Sequence, residues 1–332
     1  YMGYAPGVEK VLRSYGLSYT YVDTHAVLFG REPSDTGIFT PVRCQNSFVL
    51  FARDTETPAD IYGDEGFARS PLYRAQDKDI GFELSSEELG DFTVSGNARV
   101  ATGFRYWTNG GGLYDEQAAL AQVKADAAAF IAAKKTKLEK ASRLLDGQDV
   151  SLVCAVPADT LCSAWAEGID FLEAAIRCGA EELSLVSGNA LLDRQFSLQK
   201  ITPYPSAACG TGYGESLLDS TNGWMLRYTR KMCQRMVDLA GRFPSDTGLK
   251  ARLLNLAAKE LMIAQGVEWP CMLHEGQLPD YVTEHFKTAI RAFITVFDAL
   301  GSNSVSTEWL TRVEREHSLF PWMNYRIFSQ KK

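Results

Sequence analysis

The stretch Val150–Leu172, VSLVCAVPADTLCSAWAEGIDFL, decides the fold class that the sequence predicts. It begins as a short apolar run rich in β-branched residues, stops at Pro157, and resumes with apolar residues at helical spacing, namely Leu161, Trp165, Ile169 and Leu172. We therefore expect a buried parallel strand that leads into a helix. In α/β barrels the chemistry lies just past the carboxyl ends of the strands. Residues 157–160 thus occupy the place where a catalytic group is expected.

Helical patterns flank this stretch on both sides. A helix is predicted over Asp115–Ser142, and its basic cluster Lys134–Lys140 is interpreted as a solvated face near the helix end. After the central strand, apolar residues recur at three- and four-residue spacing with Gly or Pro between the segments. These segments are Asn222–Gly241, Ser245–Gln265, Gln277–Leu300 and Thr307–His317.

Composition limits the classes of function. The chain has 332 residues, 45% of them hydrophobic and 23% charged, with a net charge of −7, which argues against nucleic acid or an anionic membrane as the main partner. No apolar stretch approaches the roughly 20 residues of a membrane span. The seven cysteines contain no C-x-x-C pair, so no zinc site, other metal or cofactor is expected, and a cytoplasmic location is the simpler expectation.

Several motifs together resemble glycoside hydrolase family 57, the α-glucan branching enzymes, amylases and glucanotransferases. The W-x-E-G at Trp165–Gly168 resembles a signature of that family. Phe51–Glu56 resembles its F-G-R-D-x-E, Tyr73–Phe82 resembles Y-R-E-F-Y-R-D-I-G-F, and Thr102–Trp107 resembles T-G-I-K-Y-W. Each motif alone is weak, and their shared order along almost the whole chain gives the resemblance its weight.

The resemblance implies a fold class for the chain. It is expected to be an α/β protein containing the C-terminal part of a distorted seven-stranded (β/α) barrel, followed by an all-α helical domain. The predicted domains are residues 1–185 and residues 186–332. In the family the nucleophile follows the fourth strand, so this chain would begin in mid-barrel, and an open barrel edge is unfavourable. A missing N-terminal segment, a partner chain or a reorganised sheet could each close it.

The catalytic positions implied by the resemblance lack carboxylates. Retaining glycoside hydrolysis needs two carboxyl groups about 5–5.5 Å apart. Ungapped alignment places Pro157 on the family's general acid/base Asp and Tyr1 on its nucleophilic Glu. Asp159 could act as a displaced acid, but an N-cap role for the following helix is favoured.

The resemblance also implies residues that contact a glucan. Trp107 aligns with an aromatic residue of the glucan groove, with a partly buried core tryptophan as the alternative. Ala208 and Leu217 replace two tryptophans that close over the acceptor glucan in the family. For His25 a structural hydrogen-bonding role is preferred over catalysis. The expected substrate-binding set is Trp107, His25, Asp79, Tyr213, Glu268 and Trp269.

These observations lead to three hypotheses for the function. The first is a degenerate family-57 relative that is catalytically inactive or nearly so and keeps a glucan-binding or interaction role. The second is an active 1,4-α-glucan branching enzyme or α-amylase that uses Asp159, with an N-terminal barrel half outside this chain. The third is a subunit that binds no sugar and completes another protein. The expected ligand is an α-glucan or malto-oligosaccharide.

Overall fold

The structure, a computed structural model, describes residues 2–90, 99–194, 197–207, 211–302, 304 and 306–329. The chain divides into two compact units, Tyr1–Ala208 and Cys209–Lys332, each with its own hydrophobic core. The first unit extends past residue 185, where the sequence predicted a domain boundary. The physical reason is backbone pairing, because the amide of Arg43 donates to the Gln199 carbonyl and the amide of Ile201 donates to the Arg43 carbonyl.

The first unit combines a small sheet with short helices and one long helix. Its elements in chain order are α1 (Val8–Ser14), β1 (Tyr19–Val22), α2 (Thr24–Leu28), β2 (Val42–Arg43), β3 (Val49–Ala52), α3 (Glu56–Tyr62), α4 (Ile80–Glu83), α5 (Ser86–Leu89), α6 (Glu116–Leu144), α7 (Gly168–Glu182) and α8 (Gly188–Leu192). A 3-10 turn, Phe67–Arg69, follows α3, and a π-helical turn, Thr160–Ala164, precedes α7.

The sheet has the strand order β1-β3-β2, with β3 in the centre. All four residues of β3 are buried. Strand β1 runs parallel to it, with Tyr19 opposite Val49, and β2 runs antiparallel, with Val42 opposite Leu50. A parallel neighbour on one side fits the barrel-like part of the predicted fold class. The described sheet has three strands, so the seven-stranded barrel stays a prediction.

The predicted central strand differs from the expectation in burial and regularity. Residues 150–156 are extended beside β3, where Val153 forms an isolated parallel bridge with Arg53 and accepts a hydrogen bond from the amide of Asp54 at 2.8 Å. Most of the segment is half-buried, and Cys154 is exposed. The prediction of a fully buried strand was therefore wrong, although the parallel direction was right.

The predicted helix after Pro157 is broken in two. The turn Thr160–Ala164 ends at Trp165, which has an extended backbone, and α7 begins at Gly168. A Cβ atom on Gly168 would lie 2.4 Å from the carbonyl oxygen of Leu161, so only glycine permits this close crossing. The single apolar face predicted from the spacing is consequently split, because Leu161 and Trp165 are buried while Ile169 and Leu172 are exposed.

Helix α6 carries a buried ion-pair network that the sequence did not predict. The ammonium of Lys134 lies 2.7 Å from the Asp54 carboxylate and 2.6 Å from that of Asp60. The same Asp54 accepts hydrogen bonds from Lys137 and Thr57, each at 2.7 Å. Asp54 is fully buried and Lys134 is only 3% exposed. The interpretation of Lys134 as part of a solvated face was therefore wrong.

The second unit is helical. Its helices are α9 (Gly223–Arg242), α10 (Gly248–Ala264), α11 (Glu268–His274), α12 (Pro279–Ser302) and α13 (Thr307–Glu316), followed by a 3-10 turn at Tyr325–Phe328. Helices α9, α10, α12 and α13 match the four predicted segments to within three residues at each end. Their apolar faces form one core around Met236, Leu254 and Phe293.

We predict that Asp54→Asn destabilises the first unit strongly. The substitution removes the buried carboxylate that pairs with both Lys134 and Lys137 and leaves Lys134 with Asp60 alone, and breaking a buried ion pair costs about 3–5 kcal/mol. Lys135→Met is the matched control, because the neighbouring Lys135 pairs with Glu182 at the exposed surface and should contribute little. The urea midpoint measured by circular dichroism checks this expectation. Equal shifts in the two variants would contradict it.

Candidate functional site

A cleft of about 550 Å³ opens in the first unit beside the loop that follows residue 156. One wall is the segment 68–78, and Tyr62 from the end of α3 and Asn109 add polar groups. The π-helical turn contributes Thr160 and Ala164, and Trp165 follows them. The turn that the sequence singled out for chemistry therefore forms part of a concave surface.

Aromatic packing positions the residues of this cleft. The ring of Trp165 lies 5.0 Å from that of Phe171 and 5.4 Å from that of Tyr73, measured between centroids. The Tyr73 hydroxyl donates a hydrogen bond to the buried Asp126 of α6 at 2.6 Å, and this bond and burial raise the pKa of Tyr73. Contacts with Asp126 of α6 and Phe171 of α7 therefore hold Tyr73 and Trp165 in place.

Arg74 is held in one orientation at the cleft. Its backbone amide donates to the Glu167 carboxylate at 3.2 Å. Its guanidinium carbon lies 4.0 Å from the centre of the Tyr114 ring, a cation–π arrangement. Because both contacts fix the residue, its guanidinium is a preorganised group on the cleft wall.

The ionisable groups of the cleft are predominantly cationic. Arg69, Arg74 and Lys78 line it, and its one lining carboxylate belongs to the exposed Asp77. Within the described residues none of these three cations forms a salt bridge. An excess of unpaired positive charge attracts anions and does not supply the two carboxylates of glycoside hydrolysis.

The positions implied as catalytic bring no carboxylate into the cleft lining. Pro157 is exposed, and its carbonyl accepts the amide of Leu161 at 3.4 Å. The carboxylate of Asp159 accepts the amide of Thr160 at 3.0 Å, the N-cap role that the sequence favoured. Burial raises the pKa of Tyr62, the charge of Arg53 lowers it, and the charge of Asp159, close enough to act on Tyr62, raises it. Tyr1 lies outside the described residues.

Asp79 joins the start of α4 to the segment at residues 102–103 through hydrogen bonds. It is 2% exposed and caps α4, and its carboxylate accepts hydrogen bonds from Gly81, from the amide and hydroxyl of Thr102, and from Gly103, all at 2.8–2.9 Å. Burial alone would raise the pKa of Asp79, but these hydrogen bonds hold it below its ordinary value. The carboxylate therefore has little capacity left for a substrate.

Trp107 and His25 lie in two other clusters of the same unit. The Trp107 side chain is exposed, its indole donates to Glu83 at 3.0 Å, and it is absent from the cleft lining. His25 places Nδ1 2.7 Å from the buried Asp23, whose other oxygen binds Arg53 at 2.8 Å. This arrangement is the hydrogen-bonded, structural one that was preferred for His25.

The remaining predicted ligand contacts belong to the second unit. Tyr213 is 56% exposed, and Glu268 is exposed in the first turn of α11. The Trp269 indole donates to the Ile263 carbonyl at 2.7 Å and packs against the helical core. Of the two replaced tryptophan positions, Leu217 is half-buried and Ala208 lies outside the described residues.

Sequence reasoning missed the groups that line the cleft. Arg74 stood inside a recognised motif, Tyr73–Phe82, but it was not selected, and Trp165 was treated only as part of a signature. The signal that could have found them is their position, since both lie inside segments that the family resemblance already matched. Neither Trp107 nor Asp79, which were selected, lines the cleft.

Comparisons with known proteins agree with this fold. Residues 228–328 match the sequence family described as 1,4-alpha-glucan branching enzyme, C-terminal. The structure is similar to the crystal structure of the alpha-amylase AmyC from Thermotoga maritima, with 25% identity, a TM-score of 0.87, and coverage of 100% of this chain and 64% of that chain.

Two branching enzymes of the GH57 type have the same fold. The one from Pyrococcus horikoshii gives 18% identity and a TM-score of 0.81 over 98% of this chain and 58% of that chain. The one from Thermococcus kodakaraensis, solved with glucose, gives 17% identity and a TM-score of 0.80 over 98% and 60%. The chain therefore spans 58–64% of the length of these structures. Together the structural matches show that the chain shares the fold of these enzymes over nearly its whole length.

Across the described ranges, no helix has the length and apolar character needed to cross a membrane. In the same part of the chain, no group of three or more His, Cys, Asp or Glu side chains is arranged to hold a metal ion.

We predict that Asp79→Asn weakens the protein at neutral pH and flattens its response to acid. Because the folded pKa of Asp79 lies below its unfolded value of about 3.9, its stabilisation is present above that pH and is lost as the pH falls below it. Loss of the charged acceptor should lower the melting temperature by about 2–8 °C at pH 7. Melting curves from pH 7 to pH 2 check this. Asp77→Asn, an exposed neighbour, should change neither quantity, and a similar response in both variants would contradict the assignment.

Proposed function

We propose that this chain is an α-glucan-related protein with the fold of the GH57 branching enzymes, which holds a saccharide in the cleft and has little or no catalytic activity. The proposal is supported by the similarity of fold over nearly the whole chain and by the branching-enzyme match at residues 228–328. Its expected ligands are α-glucans or malto-oligosaccharides. The cleft has a volume suited to a small ligand and a polar lining that could hydrogen-bond sugar hydroxyls.

The observation that carries the inactivity is the turn after the central extended segment. Position 157 holds a proline, which has no side-chain proton to transfer, and the carboxylate of Asp159 accepts a hydrogen bond from its own turn. The lining supplies the single carboxylate of Asp77 beside three cations. A retaining mechanism needs one carboxyl group to attack and a second to donate a proton.

A second candidate is an active 1,4-α-glucan branching enzyme or α-amylase in which Asp159 acts as a displaced acid. It is favoured by the proximity of Asp159 to Tyr62, a residue of the cleft. In this case the rest of the barrel and the nucleophile would come from a segment outside this chain or from a partner chain. The turn would have to rotate Asp159 away from its cap position.

We predict that the native full-length protein neither branches nor hydrolyses amylose, and that malto-oligosaccharides bind it. Iodine staining and reducing-sugar release measure the two activities, with Pro157→Asp assayed beside the native form. A ligand that binds only the folded state raises its stability, by about 2.7 kcal/mol at a concentration 100 times the Kd. Maltoheptaose should therefore raise the melting temperature.

Each outcome of this experiment separates the candidates. Branching by the native protein would overturn the inactive assignment, and Asp159→Asn should then abolish activity, with Asp170→Asn on α7 as the matched control. Activity in Pro157→Asp alone would show that only the acid is missing. Absence of any maltoheptaose effect would overturn the glucan-binding role.

A further inference from the structure

Two donor groups in the cleft wall have no acceptor. The indole Nε1 of Trp165 is buried without a hydrogen-bond partner among the described residues, and the whole residue is only 2% exposed. The Nε atom of Arg74 is also buried and has no hydrogen-bond partner among the described residues. Buried polar groups are normally hydrogen-bonded, so two orphan donors lining one cleft call for an explanation.

A bound ligand would satisfy these donors, since both residues line the same cavity. The ligand must present acceptor oxygens, because an indole N–H and a guanidinium N–H can only donate. Arg74 is already fixed on the Tyr114 ring at 4.0 Å, so it would lose little freedom on binding.

The charge of the lining indicates which acceptors fit best. Arg69 and Lys78 lie at the same cleft as Arg74, and Asp77 is the one opposing charge in the lining. A neutral sugar hydroxyl can accept a hydrogen bond but does not offset the charges of Arg69 and Lys78, whereas Arg74 already has the buried Glu167 carboxylate beside its backbone. A phosphate or carboxylate accepts hydrogen bonds and also neutralises the positive charge of the lining. Such charge-assisted hydrogen bonds are roughly twice as strong as those between neutral groups.

We infer that the cleft binds an anionic saccharide, a sugar that carries a phosphate or carboxylate group. Arg74 and Trp165 donate to the anionic oxygens, Arg69 and Lys78 attract the charge, and Tyr62 and Asn109 are available to the ring hydroxyls. This inference rests on the proposed saccharide-binding function and specifies the ligand class of the same site. It requires no covalent step.

The test compares charged and neutral sugars on the full-length protein by isothermal titration calorimetry. The probes are glucose 6-phosphate, glucuronate, inorganic phosphate, glucose and maltoheptaose. Glucose 6-phosphate should bind about tenfold or more tightly than glucose at low ionic strength, and the difference should shrink as salt is added. Glucuronate distinguishes a carboxylate from a phosphate, and inorganic phosphate shows how much the anion contributes alone.

Four variants identify the groups responsible. Arg69→Met and Lys78→Met each change a side chain outside the packed core and should weaken binding of glucose 6-phosphate about fivefold or more, while binding of glucose changes little. Trp165→Phe keeps an aromatic ring but removes the N–H donor, and it should weaken binding of both sugars. Arg13→Met, an exposed cation on α1, is the matched control and should have no effect.

The results separate this inference from the proposed function. Equal affinity for glucose and glucose 6-phosphate, or unchanged binding in Arg69→Met and Lys78→Met, would overturn the anionic class. Maltoheptaose binding that persists in that case would leave the glucan role intact. Binding of glucose 6-phosphate without maltoheptaose binding would support the anionic class and refute the glucan role.

Discussion

The buried pairing of Asp54 with Lys134 is the constraint on which the first unit depends. An isolated charge in a low-dielectric interior is very unfavourable, so each of these groups requires the other. Asp54 lies just after β3, and its backbone amide donates a hydrogen bond to the Val153 carbonyl. Its carboxylate pairs with the ammonium groups of Lys134 and Lys137 on α6. One carboxylate therefore ties the sheet, the extended segment 150–156 and the long helix together. The cleft lies at the end of that segment.

The cleft combines a position at the end of the extended segment 150–156 with a lining that holds one carboxylate. Its place beside the turn after an extended segment is where α/β folds commonly present functional groups. Its lining, however, combines aromatic and cationic donors with a single carboxylate. Similarity of fold to α-amylases and branching enzymes sets an expectation for a saccharide, but function has to be argued from the residues of the site. Those residues, with one carboxylate among them, are the basis of the proposed ligand-holding role.

The helices were the part of the structure that the sequence predicted best. Apolar spacing and capping residues act locally, which is why α6 begins directly after Asp115 and four helices of the second unit lie where they were expected. The failures involve contacts between residues far apart in sequence. The sequence predicted an exposed Lys134 because its partner Asp54 is 80 residues away in the chain. The helix break before Gly168 depends on a close backbone crossing that spacing does not encode.

The candidate site was predicted less well, for the same reason. The resemblance located the loop around residue 157 and the motif containing Arg74, but the lining of a cleft depends on which motifs meet in space. Asp79 illustrates the difference, since a motif position expected to contact sugar accepts four hydrogen bonds, three of them from Thr102 and Gly103 more than 20 residues away. Arg74 and Trp165 meet only in the folded chain, where both residues line the cleft and each has a buried N–H group without an acceptor among the described residues.

The ion-pair network and the cleft lining have no side chain in common. Substitutions in the cleft can therefore change its chemistry while the interactions that hold the unit folded stay intact. A scaffold organised in this way can tolerate the replacement of catalytic groups during evolution. It is equally suited to protein engineering, because new acids or bases can be introduced into the cleft without disturbing the buried charges.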